Sequence, residues 1–410
     1  MNRFIKYLAI LTFFCACQKS IPIPVSPNTY PIQKFSDVFE AYWNGMNERY
    51  VFWDWDTTNW DRIYQSYKPL FARLDDSALS SHADEDTVIM YLKEITAGLI
   101  DGHYEIQSLD TLNGHTTHFS PSYLQKLNDP FFVANPQIHA PYFQNILPGI
   151  LDSPHISGYT VYQNDTIFAV SGTIDSHILY LYFKSFYLEQ AVRDKYDSLL
   201  DVALQFFFRR FTADSASTYT GIIIDVRDNV GGQITDINYI LGRIVANQHP
   251  YGYVRTKTGN GRLDYSPWTT TKITPDSNGK PLAPSQKLVV LADNWSQSAA
   301  EQFTMAVKTL PNTTFIGTTT WGATGPFYNV DDMTDLFSGP FNIGVMGTSE
   351  STTQPYGIVK TSSAMFKYIN GTFYEGHGFP PDILVPEDSA ALYSVYGDSA
   401  LQNAIRFLRQ

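Results

Sequence analysis

The sequence predicts an α/β protein whose second half is built on a largely parallel sheet. Short, mainly apolar runs recur at "GIIID" (Gly221–Asp225), "KLVVLAD" (287–293) and "TTFIG" (Thr313–Gly317), as expected of strands covered on both faces. The first two runs are each followed by a helical pattern. Ile237, Ile240, Leu241 and Ile244 share one helical face after the first, and a helix opens within "NWSQSAAEQF" after the second. This alternation implies parallel strands joined by helices. The runs end in polar turns, "VRDNVGG" and "DNWSQSAAE", at the carboxyl ends of strands where open α/β sheets form their sites.

The composition supports a large core and excludes some functions. Of 410 residues, 43% are hydrophobic and 17% charged, too few charges for an intrinsically disordered chain. A formal net charge of −12 excludes a nucleic-acid binder, which needs a basic surface to meet phosphates. Aromatic residues make up 15%, and an aromatic-rich core accounts for them. After the leader, no run approaches the ~20 apolar residues of a transmembrane helix.

In chain order, residues 1–16 form a basic-then-apolar leader, with Arg3 and Lys6 before the run 7–14. That run is too short to span a bilayer. Ala16 then precedes Cys17, and the segment resembles a bacterial lipoprotein signal with the lipid on Cys17; an ordinary secretory leader is the alternative. The lipoprotein reading implies a cell-envelope protein held to a membrane by its N-terminal lipid. Gln18, in place of an aspartate, points to the outer membrane, facing the periplasm. Residues 17–34 are proline-rich and read as an extended tether. An N-terminal helical region is expected over 35–105. Its first helix is capped by Ser36 or Asp37, and its second starts at Trp60. Its third carries Val88, Tyr91, Leu92, Ile95 and Leu99 on one face. The turn Asp101-Gly102 then presents His103. Residues 106–160 read as an irregular, aromatic-rich insertion. The core is expected over 161–390, with a strand at 177–186 and a long helix over 194–211, and a C-terminal helix over 391–410.

An acyl-transfer site needs a nucleophile, a base and oxyanion donors. Ser298 lies at a predicted helix N-terminus, where backbone N–H groups are exposed, and Gly231-Gly232 lets the neighbouring loop aim an N–H inward. The same residues admit a structural reading, because Ser298-x-x-Glu301 is also a capping box. His103 alone reads equally well as a structural histidine.

Taken together, "LIDGHYEI", "ILYLYFKSF", "GIIIDVRDNVGG", "LVVLADNWSQSAAEQFTMAVK", "TTFIGTTTWGATG" and "YEGHGFPPDILV" resemble, in order, the tail-specific or C-terminal processing serine peptidases. The resemblance implies a crotonase-like α/β core that cleaves polypeptides without a cofactor or metal. It makes Ser298 the nucleophile and Ser296 a neighbour. The oxyanion donors would be the amide of Ala299 and a glycine of Gly231-Gly232, with Gly232 favoured. The lysine used by one branch of the family is replaced by Ala323. The other branch, similar to tricorn protease, implies His103 as base and Glu375 as its carboxylate. That branch places a serine before the histidine, and here the position is Gly102. The Glu375–His103 link is therefore direct, runs through water, or gives way to Asp101. A non-catalytic binding protein on the same fold is the rival reading. His115 and His118 carry no third ligand and read as a solvated loop.

Overall fold

The computed structural model describes residues 33–410, apart from 77–81, 110–115, 135–138, 196–197, 212–218, 260, 278, 328–343, 346–356, 389–390 and 395–396. The leader, Cys17, the tether as far as residue 32, and His115 lie outside the described residues.

The elements that position the site belong to a seven-stranded mixed sheet, taken here with its flanking helices. Its strands are β3 (Ile156–Tyr162), β4 (Asp165–Ile174), β5 (Ile178–Phe183), β6 (Gly221–Asp225), β9 (Lys287–Ala292), β10 (Thr313–Gly317) and β14 (Ile383–Leu384). They lie in the order β14-β10-β9-β6-β5-β4-β3. The strands from β14 to β5 run parallel, and β4 and β3 add antiparallel. Burial on both faces explains the apolar runs. Ile222, Ile224, Leu288 and Val290 enter one core with helices α5 (Leu188–Asp194), α6 (Leu199–Phe211), α7 (Thr235–Leu241) and α8 (Ala299–Lys308). Ile223, Val289 and Leu291 point into the opposite core, closed by α9 (Ser399–Leu408).

A third core gathers the N-terminal helices α1 (Phe35–Arg49), α2 (Trp60–Ala72) and α3 (His82–Thr96). It also takes Val359 and Met365 from far along the chain. A four-stranded antiparallel sheet ties the two ends of the sequence together. Strands β1 (Glu105–Leu109) and β2 (Thr116–Phe119) pair with β12 (Gly357–Lys360) and β11 (Gly344–Val345) in the order β11-β12-β1-β2. A three-stranded antiparallel sheet holds β7 (His249–Thr256), β8 (Thr269–Ile273) and β13 (Ala364–Tyr368).

Several expectations differ in detail. Lys34, not Ser36 or Asp37, is the N-cap of α1. Asp37 lies one turn in and accepts from the Gln33 and Lys34 amides at 3.0 and 3.1 Å. Ser36 bonds instead to Asp75. The helix expected over 194–211 begins at Leu199, and α5 precedes it as a separate helix. The stretch 106–160 is not uniformly irregular. Besides β1 and β2, it holds helix α4 (Pro121–Lys126), a compact helical turn over 139–149, and the start of β3. β2 and β3 pair with their chain neighbours β1 and β4, while β1 also pairs with the distant β12, which local periodicity does not reveal.

Candidate active site

The nucleophile candidate sits where β9 hands over to α8. Ser298 is the N-cap of α8 and partly exposed, with φ 54° and ψ −118°, a region that non-glycine residues rarely occupy. The capping-box arrangement of the sequence is present, and the Ser298 N–H donates to Glu301 Oε2 at 3.2 Å. Glu301 is fully buried and holds more than the cap. It also accepts from the Thr320 hydroxyl at 2.6 Å and from the Gly322 and Ala323 amides, both at 2.7 Å. Its carboxylate therefore fastens the loop after β10 to the nucleophile helix. Burial pushes its pKa up, against these donors. Ser296 is buried; its hydroxyl donates to the Val226 carbonyl at 2.7 Å and accepts from the Asp293 amide at 2.9 Å. It is a strut between the two loops.

The glycine turn lies directly against Ser298. A Cβ on Gly231 would stand 2.7 Å from Ser298 Cβ, and one on Gly232 would stand 2.5 Å from the Phe186 carbonyl oxygen. Both glycines have positive φ, 95° and 141°. The Gly231 N–H is bound to Asn229 Oδ1 at 2.9 Å, so it cannot also serve an oxyanion. Among the described residues, no acceptor is bound to the N–H of Gly232 or of Ala299. Of the two glycines named from the sequence, Gly232 has the free donor. Asn229 sets this turn: its amide donates to the Phe183 carbonyl at 2.9 Å, and its own carbonyl accepts from the Gln297 N–H at 2.9 Å.

His103 stands after the turn that ends the N-terminal helical region. It is partly exposed at one face, and its ring meets Phe327 edge to face at 4.7 Å. Nδ1 lies 3.3 Å from Ser362 Oγ. The Ser362 hydroxyl donates to Asp101 Oδ1 at 2.8 Å, so its oxygen can accept the Nδ1 proton. That tautomer leaves Nε2 with its lone pair. Asp101 is fully buried and also accepts from the His103 amide, the Thr361 hydroxyl and the Ser362 amide, at 2.9, 2.6 and 2.8 Å. Among the described residues no hydrogen bond joins His103 to Ser298 Oγ; such bonds often tighten only when substrate is bound.

Glu375 is brought into this cluster but has other partners. It has a carboxylate oxygen within 4.8 Å of ligand atoms of both Asp101 and His103. Its Oε1 accepts from the Gly102 amide at 2.8 Å. Oε2 accepts from the Thr324 amide and hydroxyl and the Gly325 amide, at 2.8, 2.7 and 2.7 Å. The direct Glu375–His103 contact considered from the sequence is absent, and the histidine is linked to Asp101 through Ser362. The reason lies at Gly102. A Cβ there would stand 2.3 Å from the Gly322 carbonyl oxygen and 2.7 Å from Ala323 Cβ, so a serine at this position has no room. Nothing in the run "KTSS" marks Ser362 as the substitute; its role depends on β12 pairing with β1.

The electrostatics give the cluster one negative charge facing the ring. Burial pushes the Asp101 carboxyl up, and burial together with the charge of Asp101 pushes Glu375 up further. Each carboxyl accepts four hydrogen bonds, and Glu375 is pushed up the more strongly of the two, so Asp101, linked to the histidine through Ser362, is the anionic member. Burial, helped by the Lys360 ammonium, lowers the His103 pKa to about 3, so the imidazole is neutral and able to accept a proton at physiological pH.

A nucleophile candidate on a strained helix N-cap with two free amides, and a neutral histidine linked to a carboxylate, are the parts that a serine-hydrolase type of site requires. The model of peptidase family S41 matches residues 177–385, half of the chain, and the protein belongs to that family. It is a serine-type peptidase by family. Similar folds occur in a candidate peptidase from Parabacteroides merdae ATCC 43184, at 21% identity and TM-score 0.61, covering 92% of this chain and 98% of the other. Mature CPAF complexed with lactacystin is similar at 12% identity and TM-score 0.55, covering 92% and 97%.

Proposed function

We propose that the protein is an active serine endopeptidase of the tail-specific kind, on a crotonase-like core, cleaving polypeptides through an acyl-enzyme at Ser298. The observation that carries this reading is the Ser298 backbone at φ 54°, ψ −118° beside two unoccupied amides. A serine serving only as a cap has no use for that conformation, which costs about 1–3 kcal/mol. In the proposed sequence Ser298 Oγ attacks the scissile carbonyl carbon and its proton passes to His103 Nε2. The carbonyl oxygen, now negative, is held by the N–H groups of Gly232 and Ala299. Asp101 stabilises the imidazolium through Ser362, and Glu375 holds the Gly102 turn and the 324–325 segment in place. Collapse breaks the C–N bond as His103 returns the proton to the leaving amine. A water molecule, deprotonated by His103, then releases the acid and regenerates Ser298.

The proposal includes location. The leader and Cys17 support a lipid-anchored protein of the bacterial envelope, on the outer membrane; mass spectrometry of natively expressed protein should find a diacylglyceryl group on Cys17, and an unmodified N-terminus elsewhere overturns that part.

The catalytic reading is tested with a fluorophosphonate probe. Wild type and Ser296→Ala should be labelled at Ser298, while Ser298→Ala is not labelled and His103→Ala loses most labelling. Ser298→Gly should abolish labelling yet gain about 1 kcal/mol of stability, because glycine takes the positive φ without strain. A well-folded wild type that neither labels nor cleaves an unstructured polypeptide is a binding protein on this fold instead.

A further inference from the structure

One ammonium beside the candidate base stands outside the Asp101, Ser362 and Glu375 cluster. Lys360 ends β12 and is partly exposed. Its Nζ lies 5.3 Å from the centre of the Phe327 ring, the same ring that meets His103 edge to face. Antiparallel pairing sets Glu105 directly across from Lys360, an arrangement in which opposite charges commonly pair. Here the Glu105 carboxylate is taken by His118 Nε2 instead. Among the described residues, Lys360 Nζ makes neither a hydrogen bond nor an ion pair.

An ammonium in this place works against the imidazolium that forms when His103 takes a proton. After burial, its charge is what lowers the His103 pKa. That opposition ends if an anion arrives with the substrate. The Phe327 ring attracts the ammonium by its face but leaves its N–H donors available to a ligand. In the proposed sequence His103 protonates the leaving amine, so the substrate residues that pass its ring belong to the leaving segment. An extended peptide advances ~3.4 Å per residue, which brings about the first three of those residues within reach of an ammonium one aromatic ring beyond the base.

We propose that Lys360 is a specificity-determining residue that binds a substrate carboxylate within the first three residues of the leaving segment. The inference rests on the peptidase reading of the site. The carboxylate is that of an aspartate or glutamate side chain or of the chain terminus, which present the same group. Binding it has two effects. It adds a charge-assisted hydrogen bond, and it cancels the opposition of the ammonium to the imidazolium. The first strengthens substrate binding throughout the reaction. The second acts only as charge develops on His103, so acidic substrates gain in kcat as well as in KM.

The test starts from cut sites made by the full chain in an unstructured polypeptide and mapped by mass spectrometry. Peptides built on one mapped site then carry glutamate, glutamine or lysine at each of the first three leaving positions, with a free or an amidated terminus. The expected result is a kcat/KM ~10–100-fold higher for glutamate than for glutamine at one position. The same gain from a free terminus in the glutamine peptides identifies the terminal carboxylate as the ligand. Lys360→Met should erase the difference by slowing the favoured peptides, and Lys360→Glu should reverse it in favour of lysine. A lysine with only a structural role would change all the peptides alike. Equal cleavage of all of them by wild type, or a preference that survives in Lys360→Met, overturns this inference and leaves the peptidase reading standing. No cleavage of any polypeptide overturns both.

Discussion

At the scale of single residues, the candidate site holds a neutral histidine, His103, and a candidate nucleophile, Ser298, on strained backbone. Burial and then Lys360 lower the His103 pKa from 6.5 to about 3, so the neutral imidazole persists through the mildly acidic range. The acid limb of kcat/KM should therefore lie well below pH 6.5. Lys360→Met removes the repelling ammonium and should move that limb upward, as a pH–rate profile on an unstructured polypeptide will show. The same depression has a stability consequence. The unfolded chain binds the His103 proton more readily, so this group's contribution is present above pH 6.5 and is lost as pH falls towards 3. Ser362 transmits the charge of Asp101 to the ring. Ser362→Ala should lower kcat by at least about tenfold with little change in KM, and Ser362→Thr should restore part of it. Glu375→Gln should act differently. An amide cannot satisfy the Gly102, Thr324 and Gly325 donors together, and about 1–3 kcal/mol of stability should be lost, seen as a lower urea midpoint. A Glu375→Gln variant of normal stability but no activity would return the histidine's carboxylate partner to Glu375.

At the scale of elements, the loop after β10 is decisive. Glu301 of α8 and Glu375 of the 374–378 turn both accept its amides, and Gly102 packs against Gly322 and Ala323. The lysine position of the Ser–Lys branch and the serine position of the tricorn-like branch thus face each other in one closely packed contact. Gly102→Ser and Ala323→Lys should each cost about 1–3 kcal/mol from overpacking, and neither should raise turnover. A folded Ala323→Lys variant with higher activity would show that the loop can yield and accept a lysine base. The contact was not legible in the sequence. The motifs located the two segments, but the 2.3 Å between an added Gly102 Cβ and the facing Gly322 carbonyl oxygen is a property of the assembled loops.

At the scale of the whole molecule, buried ion pairs fasten the last helix to the seven-stranded sheet. Arg227, directly after β6, is bound by Asp225 at 2.6 Å and by Asp398 at 2.7 Å. Asp398 also caps α9 through the Leu401 amide at 2.9 Å and accepts from the Tyr142 hydroxyl at 2.5 Å. Removing one partner leaves an uncompensated buried charge. Asp398→Ala should therefore cost about 3–5 kcal/mol, read as a large fall in the denaturation midpoint; a loss below 1 kcal/mol would mean the cluster relaxes into water.

The sequence by itself determined the parallel strands β6, β9 and β10, because burial on both faces demands continuous apolar runs. It also located Ser298 at a helix start, the glycine turn and His103, because those positions follow from local backbone chemistry. The tertiary structure alone decided which groups meet. It gave Gly232 the free amide by binding the Gly231 N–H to Asn229, and it linked His103 to Asp101 through Ser362. It also brought Lys360 to the Phe327 ring beside His103. These contacts join residues up to 261 positions apart, and they depend on strand pairing and close packing that no local pattern records.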